Sequence, residues 1–63
     1  MCQSTVYKNV MEPASIVMKN VMAIECREGK VILTDLMERQ VEIIGKLESA
    51  NLVDGYVIVQ ETE

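Results

Sequence analysis

Short runs of β-branched residues, each ended by a turn signal, constrain the fold of this chain most. The dipeptides Glu28-Gly29 and Asp54-Gly55 are typical of tight connections between strands. Between residues 22 and 27, Met, Ile and Cys alternate with Ala, Glu and Arg, which is the two-residue period of a strand. These patterns predict an all-β chain.

The turn signals divide the chain into about seven short strands, and we expect residues 1–63 to form a single small β-barrel domain. Asn20 interrupts one apolar run, and Gly45 marks a bend or bulge in a continuous run from Arg39 towards Asn51. A closed barrel or a rolled antiparallel sheet fits this spacing, because closure removes exposed edge strands.

One segment also fits a helix, since Ile16, Met18, Met22 and Ala23 could line one helical face. The β-branched residues and Asn20 in that segment favour strands. The chain has no Phe or Trp and only two tyrosines, so its core must consist of Val, Ile, Leu and Met. A core of this size leaves little stability to spare, and a stabilising cross-link or a dimer interface is therefore expected.

A disulfide framework is not predicted to be that cross-link. Cys2 and Cys26 are the two cysteines of a Met-rich chain with no secretory segment before them. A reducing cytoplasm is the compartment that fits best. The longest apolar runs are far too short to span a bilayer, so no membrane association is expected.

Charge and residue content exclude several classes of function. Ten acidic against six basic residues give a net charge of −4, which disfavours nucleic acid as a partner. The chain has no histidine, the usual general base and transition-metal ligand. The three glycines form no phosphate-binding loop. An ordinary enzyme is therefore not predicted.

Cys2 is the sharpest chemical feature, because a thiolate near the chain terminus lies beside nitrogen donors. If Met1 is retained, its amine, the Cys2 amide nitrogen and the Cys2 sulfur can close two fused chelate rings. If Met1 is removed, the Cys2 amine and sulfur can act with the Gln3 amide nitrogen. Ni(II) and Cu(II) favour such square-planar N/S donor sets. Two copies could also each give one nitrogen and one sulfur to a shared site. The alternative is a free thiol near a chain end.

Other candidate ligands are weaker. Cys26 lies beside Ile24 in a strand pattern, so it is predicted to be a small core residue and only secondarily a partner of Cys2 in a metal site. The five methionines lack tight clustering and are expected to fill the core. Carboxylates such as Asp35, Glu42 and Asp54 are interpreted as a solvated face.

Four segments of the chain together resemble the CooT family of small nickel-binding proteins, and the most specific of them is the opening Met-Cys-x-Ser-Thr-Val-Tyr. The segments are Met1-Cys2-Gln3-Ser4-Thr5-Val6-Tyr7, Met18-Lys19-Asn20-Val21, Gly29-Lys30-Val31-Ile32-Leu33-Thr34-Asp35-Leu36 and Gly45-Lys46-Leu47. Gln3 stands where the family often has an acidic residue, and Met37 where it commonly has an aromatic one.

The resemblance implies a small SH3-like β-barrel, a homodimer, and Ni(II) bound at Cys2 with backbone donors from Met1 to Gln3. It also implies an accessory role in maturing nickel-dependent carbon monoxide dehydrogenase. The alternative function is a small barrel that binds RNA or a partner protein, with metal binding incidental. Whether each chain holds its own metal or a dimer shares one is left open.

Overall fold

The computed structural model describes residues 4–62, and this range contains five strands and one turn of 3-10 helix. The strands are β1 (Ser4–Lys8), β2 (Ile16–Arg27), β3 (Lys30–Asp35), β4 (Gln40–Asn51) and β5 (Tyr56–Glu61), and the helical turn is Pro13–Ser15. The predicted all-β class is confirmed, and strands rather than a helix form between residues 16 and 27.

The strands form one closed barrel in which sequence neighbours pair antiparallel. Closure comes from β1 and β5, which pair in parallel from Thr5 beside Tyr56 to Lys8 beside Val59. Asn9 secures the same junction, because its Oδ1 accepts a hydrogen bond of 2.9 Å from the backbone N–H of Glu61. The small barrel that the sequence predicts is therefore confirmed as a fully closed one.

Five strands replace the predicted seven or so because two of them are long and bent. The sequence predicts a break at Asn20, but β2 runs through this residue, which has a left-handed φ of 56°. Around this point β2 advances from Met18 to Val21 while β1 advances only from Val6 to Ser4. The extra residue is a bulge, which bends the strand, and Asn tolerates the left-handed conformation better than most residues.

The second long strand, β4, changes its neighbour at Gly45. Up to Ile44 it pairs with β3, and from Gly45 onward it pairs with β5. The crossing is so close that a Cβ atom on Gly45 would lie 2.0 Å from the backbone oxygen of Gln60. Only glycine fits there, which explains why the continuous run carries a glycine in its interior.

The interior of the barrel is aliphatic, as the composition predicts, but the expectation that the methionines fill it is wrong for Met11, Met22 and Met37, which are exposed, and holds only for Met18 among the described residues. The buried hydrophobic residues are Val6, Met18, Val21, Val31, Leu33, Ile43, Val57 and Val59. They come from all five strands. They follow the two-residue alternation in β3 and β5, whereas in β2 the bulge at Asn20 separates Met18 from Val21 by three positions. The predicted Glu28-Gly29 hairpin is also confirmed, with Arg27 opposite Lys30 and Gly29 at a φ of 78°.

Candidate functional site

The predicted metal ligands Met1, Cys2 and Gln3 lie outside the described residues, which begin at Ser4. The structure does show what lies next to them, because β1 starts directly after Gln3. Ser4 is half-buried and stands opposite Val21 of β2. The described residues that follow the predicted ligands in the chain are those at the beginning of β1.

The turn between β4 and β5 anchors the beginning of β1. Thr5 donates its backbone N–H to the oxygen of Gly55 at 2.9 Å. The turn itself is held by Asn51, whose Oδ1 accepts the backbone N–H groups of Val53 at 3.1 Å and Asp54 at 2.8 Å. Gly55 follows with a φ of 80°, so the predicted Asp54-Gly55 turn is confirmed.

A shallow groove of about 190 Å³ opens beside Ser4, and we call it the Ser4 groove. It is lined by Ser4, residues 21–24 and Leu52. Its wall is the part of β2 after Val21. This part pairs with β3 on one edge, and among residues 4–62 no strand pairs with its other edge. Among the described residues, the groove is thus an open corner of the barrel next to Ser4, the first residue of β1.

Large apolar side chains are exposed around the Ser4 groove. Of the lining residues, Met22 is 54% exposed and Leu52 73%, and Val53, which follows Leu52 in the chain, is 88% exposed. Ile24 is half-buried and packs against the core from the same stretch of β2. Exposed apolar residues that gather beside a groove are typical of surfaces that bind another protein.

The expectation that Cys26 is a core residue is wrong. Cys26 is an exposed free thiol, although it stands opposite the buried Val31. The reason is its place in the half of β2 that has no described strand on its outer edge, so neighbouring side chains do not cover it. Within residues 4–62, no three His, Cys, Asp or Glu side chains come together as a metal site.

Most carboxylates are exposed or half-buried, as predicted, and several pair with cations. Glu61 pairs with Lys8, Glu25 with Arg27, and Glu42 with Lys30. These exposed pairs contribute little stability, because water screens them.

Asp35 is the exception among the acids, since it is only 3% exposed. The assignment of Asp35 to a solvated face is therefore wrong. The period of β3 places it inward after Val31 and Leu33, and that alternation was the signal that could have identified it.

Asp35 organises the turn between β3 and β4. Its Oδ1 accepts the backbone N–H groups of Met37 and Arg39, each at 2.9 Å, and its Oδ2 accepts Nε of Arg39 at 2.9 Å. The backbone N–H of Arg39 is the main cause that holds the pKa of Asp35 below its usual value, with further lowering from Met37 and the Arg39 side chain. Burial opposes this shift but does not overcome it.

A second groove, of about 500 Å³, opens beside this turn, and we call it the basic groove. It is lined by residues 17–20, Asp35 and residues 39–41. It lies along the β3 edge of β2, whereas the Ser4 groove lies along the β1 edge. Residues 17–20 have no partner in β3, because the pairing of these two strands begins only at Val21. Sequence reasoning did not identify this groove, since it depends on the long bend of β2.

The described part of the chain holds no helix with the length and apolar character needed to cross a membrane. In comparisons with known proteins, the sequence model described as CO dehydrogenase accessory protein CooT matches residues 1–60. The chain also resembles a crystal structure assigned to CooT from Carboxydothermus hydrogenoformans, with a TM-score of 0.82. The two are 14% identical, and the match covers 98% of this chain and 100% of that one, which shows a shared fold. A search of curated proteins finds no match.

Proposed function

The chain belongs to the CooT family of CO dehydrogenase accessory proteins, and on that basis we propose that it binds Ni(II) through the Cys2 thiolate and nearby backbone nitrogens. The observation that carries the proposal is the extent of the family match, which covers residues 1–60 and so includes Met1, Cys2 and Gln3. The proposed client is a nickel-dependent carbon monoxide dehydrogenase, which the family description supports.

The donor chemistry of these residues fits nickel. A thiolate is a soft donor, and with an amine and a deprotonated amide nitrogen it supplies three of the four donors of a planar N/S set of the kind that Ni(II) favours. With Met1 present, the donors are the Met1 amine, the Cys2 amide nitrogen and the Cys2 sulfur. With Met1 removed, they are the Cys2 amine, the Cys2 sulfur and the Gln3 amide nitrogen.

A homodimer is the second part of the proposal. The exposed side chains of Met22, Leu52 and Val53 around the Ser4 groove supply the apolar surface that a second copy would cover. An interface there would lie close to where β1 begins in each copy. Two N-termini could then each give one nitrogen and one sulfur to a shared metal, or each could hold its own.

Nickel titration with thiolate charge-transfer absorption as the readout tests the site. In the Cys2→Ala variant we expect this absorption to disappear and the affinity for nickel to fall more than about 100-fold, because loss of second-shell partners alone costs 10–100-fold. Cys26→Ala is the matched control, since it removes the other thiol, which is exposed, and should leave both readouts unchanged.

Mass spectrometry of the first residue decides between the two ligand sets, because only one of them has Met1. Acetylation of that residue removes its amine without supplying a new one, so it should weaken nickel binding with either set. If the Cys2→Ala protein binds nickel as tightly as the parent, or if Cys26→Ala abolishes binding, the assignment to Cys2 is wrong.

A further inference from the structure

The basic groove is a second exposed edge of the barrel, and it shares no lining residue with the Ser4 groove. Residues 16–19 of β2 have β1 on one edge and no described strand on the other. The next residue of β2, Asn20, does make a backbone contact on this edge: its oxygen accepts the N–H of Leu36, just after β3, at 3.0 Å. An extended peptide can add to an edge of this kind through backbone hydrogen bonds.

The basic groove contains one of the two cations that have no carboxylate partner among residues 4–62, and its other cation, Arg39, pairs with Asp35. Four of the six basic residues, Lys8, Arg27, Lys30 and Arg39, pair with carboxylates within residues 4–62, whereas Lys19 and Lys46 do not. Of the latter two, only Lys19 lines a groove. In a chain of net charge −4, this makes the basic groove a local site of positive charge.

Arg39 adds a second, oriented cation to the basic groove. Its Nε bonds the buried Asp35 at 2.9 Å, yet 74% of its side chain is exposed. The guanidinium is therefore held in place from one side and open to a second anion on the other. Arginine held in this way is well suited to a carboxylate, because its planar donors match the two oxygens.

The floor of the basic groove is apolar. Val17 and Val41 are half-buried and pack against the core, and both line the groove. Asn20 and Gln40 lie at its rim and are exposed. The volume of about 500 Å³ lies within the range of roughly 300–1,000 Å³ that holds small ligands and short segments.

We propose that the basic groove binds an extended acidic segment of a partner protein. Its carboxylates contact Lys19 and Arg39, an apolar side chain covers Val17 and Val41, and its backbone lies along residues 16–19 of β2. A nucleic acid fits less well, because a chain of net charge −4 repels a long polyanion. The proposal does not depend on nickel or on Cys2.

The binding experiment uses a fluorescently labelled decapeptide of alternating Glu and Val, with the parent protein at increasing concentration. We expect saturable binding that weakens with salt, whereas the same peptide with Gln in place of Glu binds at least about tenfold more weakly. Amide chemical shifts recorded during the titration should change first at Lys19, Asn20 and Gln40.

Two charge reversals make the experiment specific. Lys19→Glu should weaken binding about tenfold or more, whereas Lys46→Glu, an equally unpaired cation outside both grooves, should change it less than about twofold. Both residues are exposed, and matching thermal unfolding curves show that the variants fold.

Four results would overturn the proposal. They are no binding of the acidic peptide, equal weakening by the two variants, tighter binding of a single-stranded RNA of the same length, and shifts in the groove that follow protein concentration without peptide. The last would show that a second copy occupies the groove.

Discussion

The two grooves differ in chemistry although one strand builds a wall of each. The basic groove uses residues 17–20 on one edge of β2, and the Ser4 groove uses residues 21–24 on the other. The first carries Lys19 and an oriented Arg39 over an apolar floor, while the second is surrounded by exposed Met22, Leu52 and Val53. A strand that changes neighbours midway thus gives a very small barrel two independent surfaces.

Replacing Gly45 tests whether both grooves depend on the same bent barrel. The two halves of β4 meet at Gly45, and an added Cβ would lie 2.0 Å from the backbone oxygen of Gln60. Backbone cannot move aside as a side chain can, so Gly45→Ala should cost more than the usual 1–3 kcal/mol of overpacking, about 3 kcal/mol or more. For a domain of this size we expect most of the protein to unfold.

Circular dichroism and urea unfolding measure this effect. Gly29→Ala is the control, because nothing lies within 4 Å of its Cβ position, although its φ of 78° brings a smaller cost of about 1 kcal/mol. If Gly45→Ala unfolds at the same urea concentration as Gly29→Ala, the close crossing does not constrain the barrel.

Charging the Ser4 groove should affect association and leave the basic groove unchanged. Leu52→Glu places a carboxylate on the proposed dimer surface, and burial of an unpaired charge there should weaken dimerisation more than about tenfold. Met37→Glu is a matched control, because Met37 is 74% exposed and Leu52 73%. Sedimentation equilibrium gives the dissociation constants.

The same pair of variants distinguishes a shared metal from separate ones. If two copies share one nickel ion, Leu52→Glu lowers both dimer content and nickel bound per chain. If each chain holds its own, only the dimer content falls. Dimers of Leu52→Glu that are as stable as the parent would place the interface elsewhere.

Acid should affect the basic groove through Asp35, and this is the smallest effect, because it is absent at neutral pH. The pKa of Asp35 is lowered in the folded state, mainly by the backbone N–H of Arg39. Its contribution to stability is therefore fully present above the unfolded pKa of about 3.9 and is lost as the pH falls through the lower folded value. Protonation also releases Arg39 from its oriented position.

Comparison with Asp35→Asn isolates this titration, since all other carboxylates are common to both proteins. The difference in the free energy of unfolding between parent and variant should be constant from pH 7 to about pH 5 and should shrink below about pH 4. Urea unfolding at each pH measures it. A difference that stays constant down to pH 2 would show that the bonds of Asp35 do not depend on its charge.

Local patterns in the sequence were enough to predict the all-β class, two of the turns and the aliphatic character of the core. Glu28-Gly29 and Asp54-Gly55 mark two of the turns, and the alternation of Val31 and Leu33 marks β3. Strand number was overestimated because Asn20 and Gly45 have the sequence character of breaks. Both lie within strands, since bending in one barrel requires a bulge at the first and a close crossing at the second.

Predictions about side chains failed where burial depends on distant pairing. Cys26 has the pattern of a core residue, but it lies in the half of β2 that has no partner strand on one edge among the described residues, and it is exposed. Asp35 is a charged residue in a turn region, yet the backbone N–H groups of Met37 and Arg39 satisfy it in the interior. The proposed nickel ligands Met1, Cys2 and Gln3 were identified by chemistry and family resemblance, and they stay a prediction.

The parallel contact between β1 and β5 also determines when the protein can finish folding. These strands stand near opposite ends of the described chain, so the barrel cannot close on the ribosome until Tyr56–Glu61 has been synthesised. Until then Val6 lacks the neighbours Val57 and Val59, and one edge of β1 is free to pair with another nascent chain. Contacts of such long sequence separation are slow to form. Truncation just before β5 should therefore give an aggregating product rather than a smaller stable barrel.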